Sequence, residues 1–160
     1  MYLTVHALTG ALIGKQIVSP LLAFGLGFLS HFVLDVIPHS EAELWDKDKT
    51  KFPNKTHLKR ILGVILIDAT ILAISLTIIL VILYRKGEII NSFAVISGIF
   101  GSLLPDFLTG IFLLSKGRFF KKFTDFHRTI HFSPKKSQFL KINGYITQLI
   151  VSIITIGFLL

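Results

Sequence analysis

The chain of 160 residues contains no cysteine. Disulfides and thiolate-held metals are therefore excluded, and any metal must be bound by imidazole and carboxylate. Charge is scarce too: Asp, Glu, Lys and Arg make up 16% of the residues, against about 25% in an ordinary soluble domain. Acidic residues are the scarcer sign, 9 against 17 Lys and Arg, which leaves a formal net charge of +8. The N-terminus lacks a basic leader and a small-residue cleavage site, since Met1 to Val5 runs straight into His6, so the first helix is expected to be retained. No linker, repeat or soluble stretch suggests a second core, and residues 1–160 read as a single integral membrane domain.

What fills the chain is apolar. A hydrophobic content of 52% and a mean hydropathy of +0.71 are too high for a soluble domain. The pattern predicts an all-α fold, a polytopic membrane bundle of about five helices. They run over 2–15, with Gly10 and Gly14 as small packing positions, then Pro20 to Ile37, His57 to Tyr84, Ile89 to Leu114 and Ser137 to Leu160. Pro105 should kink the fourth beside Asp106. A polar loop over 38–56 carries Trp45 as an interfacial anchor, and Arg85 to Glu88 reads as a tight turn. The basic, aromatic stretch from Lys116 to Lys136, before the last helix, is too polar to span and belongs at the interface.

With five helices, the N-terminus, the 38–56 loop and the 115–136 segment share one side. Only three of the 17 Lys and Arg, namely Lys15, Arg85 and Lys86, fall on the other. The positive-inside rule then makes the first side cytoplasmic, and the chain a multi-pass protein of the cell membrane with a cytoplasmic N-terminus. Topology and anionic headgroups account for the basic excess, so membrane lipids rather than nucleic acid are the expected partners.

Against this background the stretch Ser30 to His39 stands out. His31 and Asp35, four residues apart, share one helical face inside an apolar run, where an ionisable group costs about 2.5–3.5 kcal/mol on insertion scales. At ~1.5 Å of rise per residue, His31 and Asp35 lie within about 10 Å of the cytoplasmic end of their helix, Asp106 about 12 Å from its own, and Asp68 about 16 Å. His6 begins the first helix, and His127 and His131, again four apart, sit in the segment that covers the same face. All of these groups fall in one leaflet.

His and Asp without Cys suit a divalent transition metal, Zn²⁺ first, with Mn²⁺ or Fe²⁺ as alternatives. The candidates outnumber the four ligands of a closed zinc site, which leaves open positions or two metals, and a metal-bound water is a nucleophile at neutral pH. Arg128, beside His127, offers a bidentate fork for a phosphate oxygen. Structural readings stand beside these. The His31–Asp35 pair can simply fix helix packing, Asp106 can cap a broken helix, Asp68 can pair with a hydroxyl, His39 can be an ordinary loop residue after Pro38, and His57 an interfacial one.

The segments Thr4 to Gly10, Ser30 to Asp35, Gly101 to Asp106 and His127 to Ser133 resemble the motifs of the YdjM-like inner-membrane metal-dependent hydrolases, and more distantly zinc-dependent phospholipase C-like proteins. The resemblance implies a small multi-helix hydrolase in which His6, His31, Asp35, Asp106, His127 and His131 ligate metal. The chain departs from the family pattern at Leu108, where a second Asp is common, and in the spacing of His131. The expected function is hydrolysis of a phosphoester in a lipid or isoprenoid phosphate at the cytoplasmic leaflet, with Asp35, Asp106 and Arg128 as the catalytic residues. The alternative is a non-catalytic protein that binds metal or carries protons or ions through the same side chains. An acid-phosphatase-type site also uses His-x-x-x-Asp, but it needs an upstream Arg and a Ser-Gly-His motif that the chain lacks.

Overall fold

The computed structural model describes residues 1–39, 55–88, 90–130 and 138–160. Trp45 and His131 lie outside the described residues. The described chain is all-helical, with α1 Leu3–Gln16, α2 Pro20–Val36, α3 Lys55–Arg85, α4 Ser92–Leu114, α5 Lys121–Ile130 and α6 Gln138–Leu159. The five expected helices are present, and the basic segment before the last contributes a short sixth, α5.

Local chemistry sets the ends. Ser19 accepts the Leu22 N–H and Pro20 occupies the first turn of α2, where its missing donor costs nothing. Asn91 caps α4 by accepting the Ala94 N–H at 3.2 Å. Between α3 and α4, Gly87 takes φ +71° and the Glu88 N–H returns to the Leu83 carbonyl, a left-handed helix stop that suits glycine. Pro105 lies inside α4, which runs from Ser92 to Leu114 as one element. Asp106 is therefore an interior helical residue and not the cap of a broken helix.

The innermost packing joins α1, α2 and α4. A Cβ added to Gly98 of α4 would fall on the Gly10 carbonyl oxygen of α1, and one added to Gly27 of α2 would fall on the Gly98 carbonyl oxygen. Three backbones thus meet at one level, as small residues permit between helices in lipid. α3 and α6 lean on the outer face of α1, where Leu8 and Ala11 pack with Ile79, Leu83 and Leu159. That end of the bundle is tied by Lys15, which pairs with Glu88 at 2.8 Å and donates to the Leu159 carbonyl, and by Lys86, which donates to the Leu160 carbonyl. The three basic residues assigned from sequence to one side therefore do gather there, with Arg85 ending α3.

Among the described residues three helices are long and apolar enough to cross a membrane: Leu58–Arg85, Ser92–Leu114 and Ile142–Leu159. α2 is apolar but has 17 residues and α1 has 14, about 26 and 21 Å at 1.5 Å per residue, short of a ~30 Å hydrocarbon layer. Large apolar side chains such as Leu66, Ile67 and Ile153 are exposed on the outer surface. Lipid covers such a surface at no cost, and water does not. The chain is a membrane protein.

Candidate metal centre

At the opposite end of the bundle, four elements bring polar side chains to one buried point. His6 comes from the first turn and a half of α1, His31 and Asp35 from the last two turns of α2, Asp106 from α4, and His127 from α5. His6, His31 and Asp35 are fully buried, His127 is nearly so, and the Asp106 side chain is 29% exposed.

Asp35 is the centre of the cluster. Its Oδ2 lies 3.1 Å from His31 Nε2 and 2.9 Å from His127 Nε2, and the two Nε2 atoms are 3.0 Å from each other. A metal about 2.0–2.2 Å from each donor sets donor–donor separations of about 2.9–3.4 Å for octahedral to tetrahedral angles. The triangle formed by these three atoms fits that range, with each side 2.9–3.1 Å.

The outer ring nitrogens are oriented as metal-binding imidazoles require. His31 Nδ1 lies 2.7 Å from the Ser102 carbonyl oxygen, which can only accept, so Nδ1 carries the hydrogen and Nε2 of the neutral ring presents a lone pair. His127 Nδ1 lies 3.0 Å from the Thr109 hydroxyl, which can accept from it in the same way. Three lone pairs then converge on one point. A cation relieves that convergence directly.

The other carboxylate oxygen faces a different set. Asp35 Oδ1 accepts from the Met1 ammonium at 2.8 Å and lies 3.3 Å from His6 Nε2. His39 donates from Nδ1 to the Ile37 carbonyl, and its Nε2 accepts from the same ammonium at 2.9 Å. His39 is 1% exposed and so is not an ordinary loop residue. Its signal in the sequence is the second four-residue step, His31 to Asp35 to His39, which continues the face past Pro38.

His6 stacks on His31 with ring centroids 4.0 Å apart, yet neither of its ring nitrogens makes a hydrogen bond. A fully buried imidazole without a bond is costly unless something absent from the protein chain satisfies it. His6, His31 and Asp106 offer a second set of ligand atoms within 4.8 Å of one another, sharing His31 with the His31–Asp35–His127 set. Buried groups able to hold a metal ion are thus present, built from five of the six residues named from sequence. His131, the sixth, is outside the described residues.

Arg128 follows His127 on α5, and its guanidinium stands over the Phe112 ring at 5.5 Å from the centroid. Burial lowers its pKa from the ordinary value, and Asp125 opposes that shift. Aromatic rings wall the cluster: Phe32 meets the His127 ring edge-on at 5.8 Å, with Phe123 beside both. They keep water from the α5 side, where electrostatic attraction is correspondingly stronger.

Asp68 does not join the cluster. It lies across α1, where its Oδ1 accepts the Thr4 hydroxyl at 2.5 Å, the hydroxyl pairing that the sequence left open for it. Comparisons with family models, curated proteins and solved structures find no match to this chain.

Proposed function

We propose that the protein is a membrane-embedded, metal-dependent hydrolase acting on a phosphoester in a lipid or isoprenoid phosphate. The observation that carries the reading is the triangle of Asp35 Oδ2, His31 Nε2 and His127 Nε2, with His31 already donating its other nitrogen to a backbone carbonyl. Such a donor set suits Zn²⁺, and Mn²⁺ or Fe²⁺ next. A metal there would lower the pKa of a bound water towards about 7 and make it a nucleophile.

Access favours a reactive centre over a closed structural one. Asp106 is the exposed member of the set, so its side of the cluster is where water and a phosphate would enter. Arg128 is one residue from His127 and supplies a planar cation suited to phosphate oxygens. The resemblance of the four motifs to YdjM-like hydrolases supports the same reading. The excess of Lys and Arg at this end supports a cytoplasmic N-terminus and a cytoplasmic-leaflet substrate.

The second reading is a metal-binding protein without turnover, favoured by the full burial of His6, His31 and Asp35. The test is metal analysis of protein purified in mild detergent, followed by assay of the loaded protein on a panel of lipid and isoprenoid phosphates. One or two equivalents of metal with turnover support hydrolysis. Bound metal without turnover leaves the second reading, and protein that purifies and stays folded without metal rejects both.

A further inference from the structure

On the other side of α1 from the histidines, a cavity of about 210 Å³ lies between α3 and α6. Its polar lining comprises Tyr2 and Thr4, Asp68 of α3, and Tyr145, Gln148 and Ser152 of α6. Asp68 is 7% exposed and, among the described residues, is the one buried carboxylate that the metal reading leaves unused. Its two hydrogen bonds, from the Thr4 hydroxyl at 2.5 Å and the Thr4 N–H at 3.3 Å, come from neutral donors. Among the described residues no cation lies within ion-pair distance of it. A carboxylate placed so deep calls for a positive partner.

The rest of the lining says what kind. The Tyr2 and Tyr145 rings border the cavity as a near-parallel pair, with centroids 6.4 Å apart and 16° between planes. A pair of aromatic rings in the same lining as a carboxylate suits an organic ammonium better than a bare metal ion. The Tyr145 and Ser152 hydroxyls and the Asp68 carboxylate are acceptors, which suits an ammonium that still carries hydrogens.

Its position says where that ammonium comes from. Tyr145 and Gln148 lie in the first two turns of the span Ile142–Leu159, within about 10 Å of its start, and Tyr2 precedes α1, so the cavity reaches from the end of the bundle, within reach of headgroups, down to the deeper Asp68. Its outer lip includes Ile71 and Leu149, which are 51% and 60% exposed. Acyl chains cover such residues, and a soluble amine would leave them bare.

We propose that this cavity binds the primary ammonium of an aminophospholipid, with Asp68 as its counter-charge and the lipid chains lying over Ile71 and Leu149. The site is independent of metal and of hydrolysis, and it gives the protein a preference among bilayer lipids.

Native mass spectrometry of the full chain, presented with equal amounts of phosphatidylethanolamine, phosphatidylcholine and phosphatidylglycerol, tests the assignment. The expected result is retention of phosphatidylethanolamine about five-fold or more above either other lipid, as one desolvated ammonium contact provides. Asp68→Asn keeps the Thr4 hydroxyl bond and removes the charge, and it should abolish the preference. Should Asp68→Asn not fold, Tyr145→Leu at the exposed lip removes one ring and one acceptor and should reduce the preference instead. Equal retention of the three lipids, equal retention of phosphatidylcholine and phosphatidylethanolamine, or a preference unchanged by the folded variant would overturn the proposal. So would displacement of the bound lipid by free ethanolamine, which would mark a soluble-amine site.

Discussion

His31 and His127 meet Nε2 to Nε2 at 3.0 Å across 96 residues of sequence, with the same Asp35 oxygen within 3.1 Å of both. Two imidazole nitrogens and a carboxylate oxygen repel one another at that distance unless a proton or a metal lies among them. The site's chemistry and its assembly are therefore one problem.

Replacing Asp35 by Asn separates the two candidate occupants. Asn keeps the volume and one acceptor but removes the anion that a metal needs and, with its oxygen kept toward the Met1 ammonium, turns an amide N–H₂ toward the imidazole lone pairs. The variant is expected to lose most bound metal and all phosphoester turnover while keeping its helical content. Elemental analysis alongside circular dichroism checks this, and full metal content in the variant would displace Asp35 from the ligand set.

Thr109 holds the outer nitrogen of His127 and touches no proposed ligand position itself. Thr109→Val removes the hydroxyl at nearly constant volume, and metal affinity should fall about 10–100-fold, as for other supports of a ligating histidine. Thr109→Ser should restore it. Competition with a chromophoric chelator measures both variants, and equal affinity in the Val variant would make the bond incidental.

Backbone contact between α1 and α4 sets the level at which His6 meets His31. Gly98→Ala places a methyl on the Gly10 carbonyl and should destabilise the protein by roughly 1–3 kcal/mol. Gly63→Ala, on α3 with nothing within 4 Å of the added carbon, should be neutral or slightly stabilising. Thermal unfolding in detergent compares the pair, and equal midpoints would contradict the close packing.

Because the chain has no cysteine, a single introduced thiol reports topology without background. Arg85→Cys should label from outside intact cells with a membrane-impermeant reagent. Lys122→Cys should label only after the membrane is opened. The reverse pattern would invert the orientation drawn from the basic residues.

Much of the centre was legible because helix periodicity writes azimuth within one helix: His31, Asp35 and His39 follow each other at four-residue steps. Depth was legible as well, since rise per residue is constant. The direction in which each helix faces its neighbours is not contained in either quantity. Thr4 and His6 are two residues apart and so about 200° apart around α1, and Asp68 meets the former while Asp35 meets the latter. Asp68 therefore lies at the cluster's end of the bundle but not on its side of α1. Pro105 sits within one continuous helix, which sets aside the reading of Asp106 as the cap of a broken one, since a proline inside a membrane helix is tolerated where neighbours stabilise the turn.

α5 is ten residues long and buries only Thr124 and His127, so its hold on the bundle is narrow: the His127 ring, plus Phe123 and Phe126 against Phe28 and Phe32. Its other face carries Lys121 and Lys122 outward. A metal bound through His127 would fasten this helix, and a charged bilayer surface would pull on the same helix through its lysines. The two attachments are reciprocal by linkage: whatever factor a lipid composition imposes on metal affinity, metal imposes on lipid affinity in return.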